Sequence, residues 1–395
     1  MDSCATVLGT AELCAYIVDF VHDSAHDLKS FALVSRVFTS SAQRHLFYEI
    51  DLVAYYPRSS AIRLRQCLDG SPHLRLLVRR LTLLFDVDFL THLRGIPLPH
   101  LNFLSLSIRF TNFASSATIM AARDLIALPS LHTVVTDAWF EDVSLVNLLF
   151  ARCTPALRSV DLRGVKILSS GSPVANTPLA SRTHIKELRL FRAEGIAAWF
   201  MDPECPLDLG QLQGLDIYVS ASIEPVLQVA ISTLEELRVH THDLTHGLSL
   251  RSFSALRKLR IDGDPPDLVL ALSSTLPLHL PYLAHITIAS RLFKPYTNTR
   301  EKPASFVREQ FGRIDTMLAD MHLPALNRVT LSVLRLIKLN VISVDESDAE
   351  TVGSVPVVPL TTAELVEQTR GELVRGFPRM SERGVLVVHD YRVPL

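Results

Sequence analysis

One phrase recurs along this chain: an apolar residue, two variable residues, an apolar residue, one variable residue, and a further apolar residue. It reads Leu101-x-x-Leu104-x-Leu106, Leu157-x-x-Val160-x-Leu162, Ile185-x-x-Leu188-x-Leu190 and Leu212-x-x-Leu215-x-Ile217. It continues as Leu234-x-x-Leu237-x-Val239, Leu256-x-x-Leu259-x-Ile261, Leu283-x-x-Ile286-x-Ile288 and Leu326-x-x-Val329-x-Leu331. Weaker copies stand at Leu81-x-Leu83 and Leu131-x-x-Val134-x-Thr136. The central apolar residues lie 22 to 30 positions apart, with one step of 43 between Ile286 and Val329. An apolar-x-apolar alternation makes a short strand with one face inward. The earlier apolar residue covers the approach turn, and the rest of each unit returns over the outer face as helix or loop. One such unit cannot bury its own apolar face, so the units must stack into a curved parallel sheet.

The phrase resembles an irregular leucine-rich repeat. The asparagine usual after the strand is missing, which implies looser turns. The expected fold class is α/β: an N-terminal three-helix module over residues 1–50, then an irregular leucine-rich-repeat solenoid over 51–395. Its curved parallel sheet would carry helices and loops outside. A doubly wound α/β fold is the alternative, but the spacing is short for it and no Gly-rich phosphate turn follows any strand. The long steps mark insertions at 290–325 and 343–376. Ser290 to Pro303 reads as an exposed loop and Phe306 to His322 as a helix. Ser343 to Gly353, with Asp345, Glu346, Asp348 and Glu350, has no packing period and reads as mobile. A last helix, capped by Thr361 or Thr362, should run through Leu365, Val366, Leu373 and Val374. It should end at Gly376-Phe377-Pro378, before a closing strand from Val385 to Val388.

The first fifty residues follow a different period. Leu13, Ile17, Phe20 and Val21 make one helical stripe, and Leu28, Phe31, Val34, Val37 and Phe38 a second. Asp27 is placed to cap the second helix, and Ser40 or Ser41 a third through Ala42, His45, Leu46 and Phe47. Arg58 to Asp69 reads as a helix stopped by Gly70-Ser71-Pro72. Ile50-x-Leu52 before it and Leu81-x-Leu83 after it complete a first strand–helix–strand unit.

The order of these blocks carries a resemblance. Glu12-Leu13 with Ile17, then Leu33-Val34-Ser35-Arg36-Val37-Phe38, then His45-Leu46-Phe47 before an apolar strand, resembles an F-box. Where F-boxes open on Leu-Pro, this chain has Gly9-Thr10-Ala11, a departure that implies reduced adaptor affinity. The run Cys67 to Leu83 resembles the passage joining F-box and repeats in fungal F-box proteins with leucine-rich repeats. The resemblance implies a non-catalytic substrate receptor of an SCF (Skp–cullin–F-box) ubiquitin ligase. Leu13, Ile17, Leu33, Val34 and Phe38 would contact a Skp-type adaptor, which in turn binds a cullin, while the repeats hold a protein substrate. A repeat scaffold that binds partners without a ligase, and an enzyme with an unrecognised site, are the rival readings.

Totals and motifs narrow the chemistry. A formal net charge of -2 over 395 residues lacks the basic footprint of a nucleic-acid binder. No apolar run is long enough to cross a bilayer. The Met1-Asp2-Ser3 start lacks a signal-type sequence, so the cytoplasm, the nucleus or both are expected. Cys4, Cys14, Cys67, Cys153 and Cys205 form no C-x-x-C pair and read as free thiols. No G-x-S-x-G, P-loop or H-E-x-x-H is present. His240, His242 and His246 are the best metal candidates, but they sit where a strand gives way to a loop, and solvated polar residues are ordinary there. No catalytic, cofactor or metal site is expected.

If the apolar residues face inward, their alternates form the concave face. Arg163, Arg189, Phe191, Tyr218, Arg238, His240 and Arg260 are its candidate substrate contacts. The arginines recur at one register, and such a row suits an acidic or phosphorylated segment. Asp161, Glu187, Asp216, Glu236 and Asp262 compete for the same forks.

Overall fold

The structure, a computed structural model, describes residues 11–52, 57–84, 87–107, 115–169, 182–193, 195–218, 224–241, 253–274, 280–291, 304–321, 323–337, 371 and 374–394. The chain forms two compact units, residues 1–212 and 213–395.

The first unit opens with three helices, α1 (Ala11–Phe20), α2 (Ala25–Val34) and α3 (Arg36–Tyr48). Both α1 and α2 pack on α3. They enclose Cys14, Val18, Leu28, Phe38 and Ala42, with Ile17, Val21, Phe31, Ala32 and Leu46 against that core. Asp19 of α1 meets His45 of α3 at 2.5 Å. Ser24, not Asp27, caps α2: its hydroxyl accepts the Asp27 N–H. That hydroxyl also hydrogen-bonds the Asp27 carboxyl and holds it below the usual carboxylate range. The expected stripe from Leu28 to Phe38 is not one helix. Ser35 is extended and accepts the Val37 N–H, so α2 stops there and α3 begins at Arg36 rather than beyond Ser40 or Ser41. The apolar period runs through Ser35 unbroken. Only the competition of a serine hydroxyl for backbone N–H marks the break.

Strands and helices then alternate: β1 (Glu49–Asp51), α4 (Pro57–Gly70), β2 (Arg80–Leu84), α5 (Val87–Leu93), β3 (Phe103–Ser107) and α6 (Ser116–Ile126). β4 (Thr133–Asp142), α7 (Val143–Phe150), β5 (Ser159–Ser169), β6 (Thr183–His184), β7 (Glu187–Phe191), α8 (Ile196–Met201) and β8 (Leu207–Asp208) follow. Strands β1, β2, β3, β4, β5 and β7 pair in that order, all parallel. The register is the one the repeated phrase demands. Ile50, Leu81, Leu104, Val134, Val160 and Leu188 stand side by side, all buried. Thr136 occupies an inward place between Leu106 and Leu162, and its hydroxyl has no partner among the described residues.

The second unit repeats the plan with β9 (Gly214–Tyr218), α9 (Glu224–Ala230), β10 (Glu236–His240), β11 (Lys258–Gly263) and α10 (Pro265–Ser274). It continues through β12 (His285–Arg291), α11 (Ala304–Asp320), β13 (Arg328–Ile337), α12 (Pro378–Glu382) and β14 (Leu386–Pro394). Leu215, Leu237, Leu259, Ile286, Val329 and Leu386 align across six parallel strands. The approach turns also recur. The amide of the first apolar residue donates to the carbonyl three positions back at Leu101, Leu131, Leu157, Leu212, Leu283 and Leu326.

Two expectations of detail change. Strand β12 extends to Arg291 and Ser290 is buried, so the exposed loop expected from Ser290 does not begin there, and residues 292–303 lie outside the described residues. The closing strand runs to Pro394, because β13 is long enough to pair with it to Ile337. The acidic stretch at 343–353 and the helix start at Thr361 or Thr362 lie outside the described residues.

Gly164 has a structural task. Between Asp137 and Trp139, β5 carries one residue more than β4, so Trp139 faces Lys166. Gly164 absorbs this bulge at φ 58, and a Cβ there would come 2.8 Å from Asp137 Oδ1.

Candidate functional site

One group of the residues singled out by the sequence is on the N-terminal helices. Leu33 and Val34, in the last turn of α2, are 88% and 72% exposed. They form an exposed aliphatic pair on a helical module that has its own core. Leu13 and Ile17 are half-buried, and Ile17 packs on the module core. Phe38 is 7% exposed and lies 5.3 Å from the Phe31 ring. It is therefore a core residue and not an adaptor contact, because α3 starts at Arg36 and turns Phe38 inward. Tyr16, Phe20 and Val37 are exposed instead, with the Tyr16 and Phe20 rings 5.8 Å apart edge to face. The expected apolar stripe holds Phe20 with Leu13, Ile17 and Val21 and does not include Tyr16, whose i, i+4 spacing to Phe20 is the sequence signal for the pair.

The others lie on the strand face of each unit, opposite its apolar ladder. In the first unit, Arg80 lies 4.0 Å over the Phe103 ring. Arg163 turns onto Asp161 at 2.7 Å. Arg189 is exposed and faces Asp161 in register. Phe191 faces Arg163 and is half-exposed, with the Arg192 guanidinium 5.4 Å above its ring. Beyond the Gly164 bulge, Lys166 lies 5.7 Å over the half-exposed Trp139 ring. Burial raises the Asp137 carboxyl above its ordinary range, and the Arg163 charge opposes this.

In the second unit, register brings Asp216, Arg238 and Arg260 into one row and Tyr218, His240 and Asp262 into the next. Asp262 takes Arg238 at 2.7 Å and Arg260 at 2.7 Å. The other side of Arg238 lies 3.7 Å from Asp216. The His240 side chain, 14% exposed, sits 3.1 Å from Asp216 Oδ1. Its Nδ1 is 3.4 Å from Asp262 Oδ2 but lacks hydrogen-bond geometry. Tyr218 stacks on its ring at 4.9 Å. The arginine row of this unit is thus held by its own carboxylates. A short aspartate reaches the diagonal neighbour across one strand spacing, roughly 5 Å, so Asp262 serves both forks. Arg163 and Arg189 belong to the first unit.

No family model and no curated protein matches the chain. Among the described residues, no group of three His, Cys, Asp or Glu side chains is placed to hold a metal ion. His242 and His246 lie outside those residues. No helix among them is long and apolar enough to cross a membrane.

The cysteines are poor nucleophiles where their titration is perturbed. Burial pushes the Cys153 and Cys205 thiols up to about 12. The thiolate is the reactive form. At pH 8 such a thiol is ionised roughly a thousandfold less than an ordinary one of about 8.5. Alkylation of the native protein with iodoacetamide at pH 8 should modify the exposed Cys67 at least a hundredfold faster than Cys153 or Cys205. Residue-resolved mass spectrometry measures this. Comparable rates would mean that Cys153 and Cys205 are neither buried nor perturbed.

Proposed function

We propose that the chain is the substrate receptor of an SCF-type ubiquitin ligase. Helices α1 to α3 dock a Skp-type adaptor, and the polar strand face holds a protein substrate. The observation that carries the first half is the exposure of Leu33 and Val34 beside a closed helical core, at the block that resembles an F-box. The second half draws on the strand face itself. Parallel strands in constant register present Tyr218, His240, Arg238 and Arg260 as a fixed array. An array on rigid strands loses little freedom on binding, and aromatic and arginine side chains are frequent anchors of protein contacts. The receptor performs no covalent step in this reading. It supplies proximity, holding the substrate where the ligase's charged enzyme can reach it.

The test is complex formation between the purified full chain and a purified Skp-type adaptor. The expected result is a one-to-one complex in sedimentation, with slowed amide exchange confined to residues 11–48. No complex, or protection only on the strands, would overturn the ligase reading and leave a scaffold for other partners.

A further inference from the structure

Among the described residues of the second unit, an excess of positive charge lies at the entry ends of β11, β12 and β13. Lys258, His285 and Arg328 stand side by side there in one register row. Thr287 and Thr330 occupy the next row beside Arg260. The His285 Nε2 lies 2.9 Å from Thr330 Oγ1 and 3.4 Å from Thr287 Oγ1. The neighbouring acids already have partners: Glu236 contacts Lys258 within the row, and Asp262 takes Arg260. Arg328 is exposed, and no described carboxylate lies within ion-pair distance of it. The row therefore carries two cations against one carboxylate, an excess of one positive charge.

We propose that Lys258, His285 and Arg328 bind a carboxylate of an acidic peptide segment, and that seating it draws a proton onto His285. The single excess charge matches a monoanion. Arg328 is exposed, and a guanidinium fork pairs well with a carboxylate.

The proton coupling follows from what surrounds the imidazole. Burial, then the Arg328 and Lys258 charges, lower its affinity for a proton in the free protein. From β11 it faces Lys258, with Arg260 one row further along, and from β13 it faces Arg328 and the Thr330 hydroxyl. A carboxylate between the two cations offsets that excess charge, so protonation of the ring is opposed less than in the free protein. By linkage, the segment then binds the protonated protein more tightly, and affinity falls as pH rises through the imidazole range.

This inference deepens the receptor reading by giving the bound segment a chemistry. It is tested on the full chain without adaptor. The probe is acetyl-tetraglutamate amide at millimolar concentration, read by NMR of histidine labelled at Cε1, with His285→Gln to assign the signal. The His285 midpoint should rise by about one pH unit, equivalent to about tenfold tighter binding by the protonated form. Arg328→Ala, an exposed substitution, should remove that rise without changing the melting temperature. A midpoint unmoved by tetraglutamate, or an equal rise in Arg328→Ala, would overturn the site. A phosphoserine tripeptide that moves the midpoint where tetraglutamate does not would overturn the carboxylate assignment. Adaptor capture, measured on the same samples, depends on α1 to α3. Its failure strikes the ligase reading alone.

Discussion

Changing Leu33 and Val34 together to Ala is expected to weaken capture of a Skp-type adaptor at least about tenfold, with no loss of folding. Both side chains are already in water, at 88% and 72% exposure, so the folded chain loses little by their truncation. The bound state loses more. Burying a side chain of this size contributes roughly 1.5–3 kcal/mol. The surviving part after truncation and interface ordering still leaves more than the 1.4 kcal/mol that a factor of ten requires. Phe38→Ala makes the contrast. It opens the module core and should lower the melting temperature, because Phe38 packs on Phe31 and Ala42 belongs to the same core. Titration calorimetry against the adaptor, with circular dichroism melts of each variant, separates the two. A folded double variant that binds as tightly as the parent would show that this end of α2 is not the docking surface.

Much of the sheet was legible because the strands obey one rule. A central apolar residue in each phrase must sit beside the next, and the register from Leu81 to Leu188, and again from Leu215 to Val329, follows it. The rule fixes which residues point out but not whom they touch. Arg238 and Arg260 were placed correctly as neighbours. Their capture by Asp262, one row further along, depends on side-chain reach rather than period. Arg328 beside His285 was within reach of the same rule, since both follow from the spacing of Ile286 and Val329. The expected substrate contacts end at Arg260. The helices were less legible. Ser35 breaks a continuous apolar stripe with a single hydroxyl, and that one event moved Phe38 from the surface list to the core.

The least legible contact is the one whose loss should cost most. Helix α12 begins at Pro378, which has no N–H to satisfy, and its N-cap residue Phe377 offers no side-chain acceptor. The orphan amides of Arg379 and Met380 instead donate to the two oxygens of Asp315, each at 3.0 Å. Asp315 belongs to α11, 64 and 65 residues earlier, and is 2% exposed. Its carboxylate replaces the cap that local sequence lacks and lies at the positive end of the helix. Next to it the Phe311 and Phe377 rings pack at 5.5 Å, so the cap and an apolar contact fix the same junction. Asp315→Ala leaves two amides without acceptors in a buried place, at roughly 1–3 kcal/mol each. A loss of about 3 kcal/mol, or roughly 6–12 °C in melting temperature for a unit of this size, is the expected result. Asp315→Asn keeps one acceptor oxygen and should fall between. The nearby Arg379–Asp320 pair is exposed, so Asp320→Ala should shift the melt by only about a degree or two. Calorimetric melts of the three variants decide the matter. If Asp315→Ala melts with the parent, the two amides are satisfied by water and α12 does not depend on this carboxylate.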